Sequence, residues 1–354
     1  MTARVLGVPV STLAIAAVGL VVFFGIPLTT DTFTTFEFTN VAVYVIALIG
    51  LNILTGYSGQ ISLGNGAFMA VGGYTTALLV SRLQIPWYAT IPLAGLLAGI
   101  VGFLFGFPSL RLSGIYLALA TFALALAVPP LINNYDNITN GHVGINMKNA
   151  SPPDWLGISL EQWLYFVCWG VAALMFVISI TIIRSGIGRA FMAIRDSETA
   201  AVSSGVSLSY YKTLAFGISA VYSGVAGSLL AIIVAYVNPD VFSLQLSLSL
   251  LVGAVVGGIG LRWGPIIGGM FVIWLPYYAE KLGTLSIGPL TLPQKPDLAF
   301  GILLLVILFF APSGVAGLLG QAGRWYRSRR DEARTGATAE EPAASQVDLL
   351  NPKQ

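Results

Sequence analysis

The sequence reads as an all-α polytopic membrane protein of about ten transmembrane helices, some of them short or broken. Three observations lead there. The 354 residues are 56% hydrophobic and 9% charged, with a mean hydropathy of +0.83. Soluble domains carry about 25% charged residues, so a chain this long and apolar has no way to keep its surface in water. Apolar runs recur at roughly the length of a bilayer crossing, about 20 helical residues. Lys and Arg then fall largely on one side of those runs, thirteen against four, once the spans alternate from a cytoplasmic amino terminus.

Taken in order, the runs are Leu6–Leu28, Phe38–Leu54, Ala67–Ser81, Tyr88–Phe107, Ser113–Ile132, Gln162–Ile183, Lys212–Val237, Leu246–Ile259, Gly264–Ala279 and Asp297–Leu318. The first is longer than the apolar core of a cleaved signal peptide, about 7–15 residues, and reads as a retained helix. The runs beginning near Ala67, Leu246 and Gly264 are short, and short or Gly-interrupted spans point to broken helices around a pathway. The basic set on the inner side includes Arg184, Arg189, Arg195, Lys212 and Arg262, and both termini come out cytoplasmic. Residues 1–319 form the transmembrane domain. Residues 320–354 turn basic, then small, polar and acidic, and read as a disordered cytoplasmic tail.

Several function classes drop out. A net charge of +2 is too small to suggest a nucleic-acid partner. The one cysteine, Cys168, sits in the apolar run FVCWGVAALMFVISI and reads as an inert buried thiol; the one histidine, His142, cannot make a metal site alone. None of the fifteen acidic residues falls near mid-membrane, where ion-driven transporters hold an ionisable group. There is no G-x-x-x-x-G-K-[ST] loop and no nucleophile–base constellation, so the chain reads as a non-enzyme without ATP of its own. Energy comes from a partner, or the protein is a stand-alone secondary transporter or channel.

Two stretches stand out. GYSGQISLGNGAFMAVGGY (Gly56–Tyr74) carries six glycines and several neutral polar residues inside an apolar chain. Non-helical backbone at membrane depth survives only where protein or a water-filled cavity surrounds it. Gly56, Ser58, Gly59, Gln60, Ser62, Gly64 and Asn65 are therefore candidates for the lining of a translocation path, with tight packing as the alternative. Gly66, Ala70, Gly73 and Ala77 have the spacing of small-residue helix contacts.

The second stretch, residues 184–212, reads RSGIGRAFMAIRDSETAAVSSGVSLSYYK. Arg189–Ser204 predicts one helix closed by Gly205, with Ser207 or Ser209 capping the next. Phe191, Ile194 and Val202 predict an apolar patch flanked by Arg195, Asp196 and Glu198. Acids at that position disfavour anionic lipid and suit a helix seated in a groove of another protein. Beyond it, Arg262 and Trp263 predict a tight inner turn. On the outer side, Asn133–Trp163 forms the longest loop, which suits either a docking surface or a folded-back cover.

ETAAVSSG resembles the EAA loop of ABC importer permeases, matched here by Glu198, Ala200, Ala201 and Gly205. GYSGQISLGNGAFMAVGGYTTALL, LRLSGIYLALATFALA, GRAFMAIRDSETAA, YKTLAFGISAVYSGVAGSLLA, LVGAVVGGIGLRWGPIIGG and APSGVAGLL follow in the order seen in one family. These blocks, over about Val41–Leu319, are similar to the high-affinity branched-chain amino acid permeases, of the larger of the two permease subunit types. Asn65 departs from the histidine that often follows Ser-Leu-Gly there, which bears on cargo. The resemblance implies an importer in the bacterial inner membrane that pairs this chain with a second related permease subunit. It also implies two cytoplasmic ATPase subunits that hold the ATP, and an extracytoplasmic amino-acid-binding protein. Gly188, Arg189, Phe191, Ile194, Arg195, Asp196, Glu198, Ala200, Ala201 and Gly205 would then couple the chain to an ATPase. The same architecture importing urea or a short amide is the near alternative.

Overall fold

Long apolar runs become helices because only a helix pairs every backbone polar group within its own segment. The computed structural model describes residues 4–5, 8–9, 23, 25–112, 114–148 and 150–283. Among them stand α1 (Thr32–Leu51), α2 (Asn65–Leu83), α3 (Trp87–Ser109), α4 (Ile115–Asn134) and α5 (Leu160–Arg184). Two short helices follow, α6 (Gly186–Asp196) and α7 (Glu198–Ser203). Then come α8 (Leu208–Val234), α9 (Leu244–Gly257) and α10 (Gly264–Gly283). Eight of the expected runs thus fall on helices. Leu6–Leu28 lies mostly outside the described residues. Within it, Val8–Pro9 pairs antiparallel with Arg4–Val5 where helix was expected from Leu6; Pro9 disfavours a helical residue before it. The last run, Asp297–Leu318, the APSGVAGLL block and the 320–354 tail lie outside the described residues.

Two of the three runs expected to be short are full-length helices. α2 spans 19 residues and α10 spans 20, whereas α9 keeps 14. Apolarity alone misjudged α2, because it opens on Asn65 and Gly66 and its surroundings are protein rather than lipid. A helix held inside a bundle has no need of an apolar sequence all round.

The centre of the bundle is α1 and α8. Their most apolar stretches are 78% and 83% buried, against 22% for α4 and for α5, which form the periphery. Small residues bring helices against α8. On α3, Gly95, Gly99, Gly102 and Gly106 form a stripe along it. A Cβ at Gly99 would stand 2.5 Å from Val221 Cγ2, and one at Gly106 would stand 2.8 Å from Thr213 Cγ2. A Cβ at Gly72 of α2 would run into the Gly224 carbonyl of α8, and one at Gly227 of α8 would run into that of Met69 on α2. The packing expected of Gly73 also holds, with the Phe242 ring against it. Cys168 is fully buried. At the end remote from α6, Ile145–Asn146 pairs antiparallel with Tyr236–Val237, and Arg82 donates to the carbonyls of Asn137 and Ile138 at 2.9 and 2.7 Å. The Asn133–Trp163 loop is thereby folded back over the bundle.

Gly227→Val is expected to lower stability by about 1–3 kcal/mol, the usual cost of overpacking. Gly170 faces open space on the exposed side of α5. Gly170→Ala is therefore expected to hold or raise stability by up to about 1 kcal/mol. Melting of the detergent-purified protein, followed by its monodisperse fraction, checks both; equal melting would refute the α2–α8 contact.

Candidate functional site

α1 does not simply stop. Its last turns widen into a π-helix over Asn52–Tyr57, and the chain then runs without helix from Ser58 to Gly64. The break expected at the glycine-rich stretch is therefore real, and its polar side chains are buried although Gly59 and Ile61 are exposed. Ser58, Gln60, Ser62 and Asn65 are each 6% exposed or less. Backbone and side-chain groups freed by the break are met by other helices. Gln60 Nε2 donates to Ser58 Oγ at 2.6 Å and to the Lys212 carbonyl of α8 at 3.3 Å. Asn65 Nδ2 donates to Ser219 and Ser223 of α8 at 3.2 and 3.1 Å, while its Oδ1 accepts from Ser62 at 3.1 Å. The Leu63 N–H donates to Thr121 Oγ1 of α4 at 2.9 Å, and the Gly66 N–H to Ser247 Oγ of α9 at 3.0 Å. Gly59 turns the corner at φ +75°, a conformation open to glycine.

Asn52 closes a second seam. Its Oδ1 accepts from the Gly260 N–H at 2.7 Å, and its Nδ2 donates to the Leu261 carbonyl at 3.0 Å. The π-helix is thus tied to the turn between α9 and α10, where exposed Arg262 and Trp263 sit as the sequence suggested, with Trp263 5.4 Å from the Phe176 ring.

The expected Arg189–Ser204 helix is two helices. Ser197 is extended, at φ −163°, and its Oγ accepts from the Ala200 N–H to cap α7. A side chain that bonds the backbone ahead of it starts a new helix rather than continuing the old one. Gly205 ends α7 as expected, at φ +82°. Its N–H reaches the Val202 carbonyl at 2.9 Å, and the Val206 N–H reaches that of Ala201 at 3.0 Å, the paired bonds of a Schellman close. Ser207 stands at the N-cap of α8 but makes no side-chain cap bond.

The expected apolar patch does not form one surface. Phe191 and Ile194 are buried at 0% and 3% exposure, facing the bundle, while Val202 is exposed. Burial of a phenylalanine against the protein's own helices removes it from any partner face. Gly188 packs on the Ile183 carbonyl, and Ala201 is buried. Exposed are Arg189, Arg195, Asp196, Glu198, Ala200, Val202 and Gly205.

Folding brings the two predicted sets together. Arg195 Nη1 donates to the Gly56 carbonyl at 3.1 Å, and its Nε and Nη2 hold Asp196 at 3.0 and 2.9 Å. The Arg195 stem lies against Gly59, where a Cβ would stand 3.0 Å from Arg195 Cγ. Glu198 Oε1 pairs with Lys212 Nζ at 2.7 Å. Between them lies a cavity of about 140 Å³, lined by Ser58, Gly59 and Gln60 on one side and Ile194, Arg195 and Glu198 on the other. At about 10–15 Å³ per water, it has room for several small polar molecules. Ile61, Leu112, Gly114, Leu117 of α4 and Lys212 of α8 complete its wall. Ser62, Gly64 and Asn65 lie outside that wall, turned toward α4 and α8.

Sequence reasoning missed Asn52, Thr121, Lys212, Ser219, Ser223 and Ser247 as parts of this site. Some carried a signal. Asn52 is the one strongly polar residue in VIALIGLNIL, and Ser219 and Ser223 stand four apart on one helical face.

Residues 34–312 match the family model described as branched-chain amino acid transport system / permease component. The chain is 33% identical over 258 residues to the high-affinity branched-chain amino acid transport system permease protein LivM of Escherichia coli, covering 66% of this chain and 61% of that protein. It thus spans about three fifths of that relative's length. The corresponding LivH protein of Salmonella typhimurium is 26% identical over 293 residues, covering 77% of this chain and 91% of its own. A probable branched-chain amino acid transport permease of Methanocaldococcus jannaschii is 23% identical over 314 residues, covering 77% of this chain and 90% of its own. No solved structure gives a significant match.

Asn52→Ala leaves the Gly260 N–H and the Leu261 carbonyl without their partner. Amide exchange in the 258–263 turn is expected to speed by about tenfold, the factor that one net hydrogen bond represents. Unchanged exchange there would show that Asn52 does not hold the turn. Gly59→Ala forces a left-handed backbone on a residue with a Cβ, at about 1–2 kcal/mol. Faster proteolysis within residues 186–206 is expected, because Arg195 must shift.

Proposed function

The chain belongs to the branched-chain amino acid transport permease family, and from that premise we propose that it is a transmembrane permease subunit of an ABC importer. It moves branched-chain amino acids into the cytoplasm on ATP hydrolysed by separate subunits. The observation that carries this is that the helix break and the α6–α7 loop meet at one cavity and are joined there by the Arg195–Gly56 hydrogen bond.

The Lys and Arg bias puts the α6–α7 end in the cytoplasm, with both termini on that side of the bacterial inner membrane. There α6 and α7 present Arg189, Asp196, Ala200 and Val202 outward to a groove on an ATPase. Their inner faces, through Phe191, Ile194 and Ala201, grip the bundle. Closure of two ATPases on nucleotide pushes the helix pair, and the Arg195–Gly56 bond passes the push to the break. The break is a suitable hinge because most of its bonds involve side chains, which can be exchanged without unwinding a helix. Similarity to both LivM and LivH proteins supports pairing with a second, related permease. The folded-back Asn133–Trp163 loop offers exposed Val143 and Trp155 on the opposite face, where an amino-acid-binding protein delivers cargo. An uncharged path with apolar neighbours suits an aliphatic zwitterion, with the affinity held by that delivery protein.

The test is uptake of labelled leucine and labelled urea in a host lacking the gene and in the complemented host. Restored leucine uptake, competed by isoleucine and valine, is the expected result; urea uptake alone would move the cargo. In the same assay, Asn65→Leu at equal membrane level is expected to slow leucine uptake by about tenfold, because it leaves Ser219 and Ser223 unpaired beside the break. An unchanged rate would separate the break from the path.

A further inference from the structure

Lys212 is an unusual residue for its place. It lies in the second turn of α8, a helix that is otherwise apolar with small polar residues, and it is 9% exposed. A buried ammonium needs a partner to remain charged. That partner comes from the coupling loop of the same chain: Glu198, the first residue of α7, sits 2.7 Å away and is about half exposed. The neighbouring charges are already engaged, since Arg195 holds Asp196 and the Gly56 carbonyl. The backbone of Lys212 is committed as well, because its carbonyl accepts from Gln60 of the break. One residue therefore touches the coupling loop through its side chain and the break through its main chain. The cavity of about 140 Å³ beside it leaves space on one flank. A packed interior shifts between discrete arrangements rather than deforming smoothly, and such space permits a second arrangement.

We propose that Lys212 is the positioning residue that ties the coupling loop to the transmembrane break, through an ion pair with Glu198 made inside this chain rather than across the ATPase interface. The proposal rests on the permease reading and adds a link to it. Glu198 then acts by holding α7 to α8, and the outward face of the loop meets the ATPase without it.

The test is charge reversal in the assembled transporter, expressed with its partner subunits. Glu198→Lys and Lys212→Glu are each expected to lower leucine uptake by about tenfold, and the double reversal to return it to within about threefold of wild type. In proteoliposomes the single variants are expected to hydrolyse more ATP per leucine moved, a ratio that reduced assembly alone would leave unchanged. A double variant no better than the worse single, at equal membrane level, would overturn the proposal; so would loss with Glu198→Lys but normal uptake with Lys212→Glu. The neutral pair Glu198→Gln and Lys212→Gln guards against reversals that fail to insert: additive effects on uptake in that cycle would also overturn it. Failure of the permease reading would look different, because wild type itself would then restore no leucine uptake.

Discussion

Backbone that leaves the helix inside a membrane bundle must be paired by other protein groups, and the rest of this architecture follows from that requirement. The Ser58–Gly64 break meets it through side chains from distant parts of the chain. Thr121, Ser219, Ser223 and Ser247 each bond the break or the first residues of α2. Remove that support and the Leu63 and Gly66 N–H groups and the Asn65 amide would lose their partners, each at about 1–3 kcal/mol. The break therefore exists only because α4, α8 and α9 surround it.

The glycines of α2 and α3 follow from the same need. Serine and asparagine side chains are short, and they reach across only when helix axes come close. Gly72, Gly99, Gly102 and Gly106 remove the Cβ atoms that would hold α2 and α3 off α8. The result is a firm centre of α1 and α8 with α2 and α3 packed closely on α8, and α4 and α5 at the edge. Against that centre sits the α6–α7 pair, held by buried Phe191, Ile194 and Ala201 and by polar links from Arg195 to Gly56 and from Glu198 to Lys212.

Much of this architecture is legible in the amino-acid sequence. Composition and run length set the class, because a bilayer imposes its thickness and its polarity on every span in turn. The glycine-rich break, the Gly205 stop and the inner turn at Arg262 are legible too, since each is marked by residues adjacent in the chain. The joint at Ser197 is not. Its side chain competes with the helix for backbone bonds, and propensity does not say which wins.

Membrane residence, the succession of spans, the family and the two stretches that matter are thus properties of the residue order alone. How those stretches meet is a property of the packed bundle. Phe191 and Ile194 are apolar on any reading, but whether they face a partner or the chain's own core depends on where α8 runs. Asn65 reads as free to meet cargo, yet two serines more than 150 positions away engage it. Glu198 reads as an interface charge, yet it closes on Lys212. The reason is physical. Local pattern reports which way a residue's chemistry pulls, while its partner is set by distances between helices, and those come from packing over the whole chain.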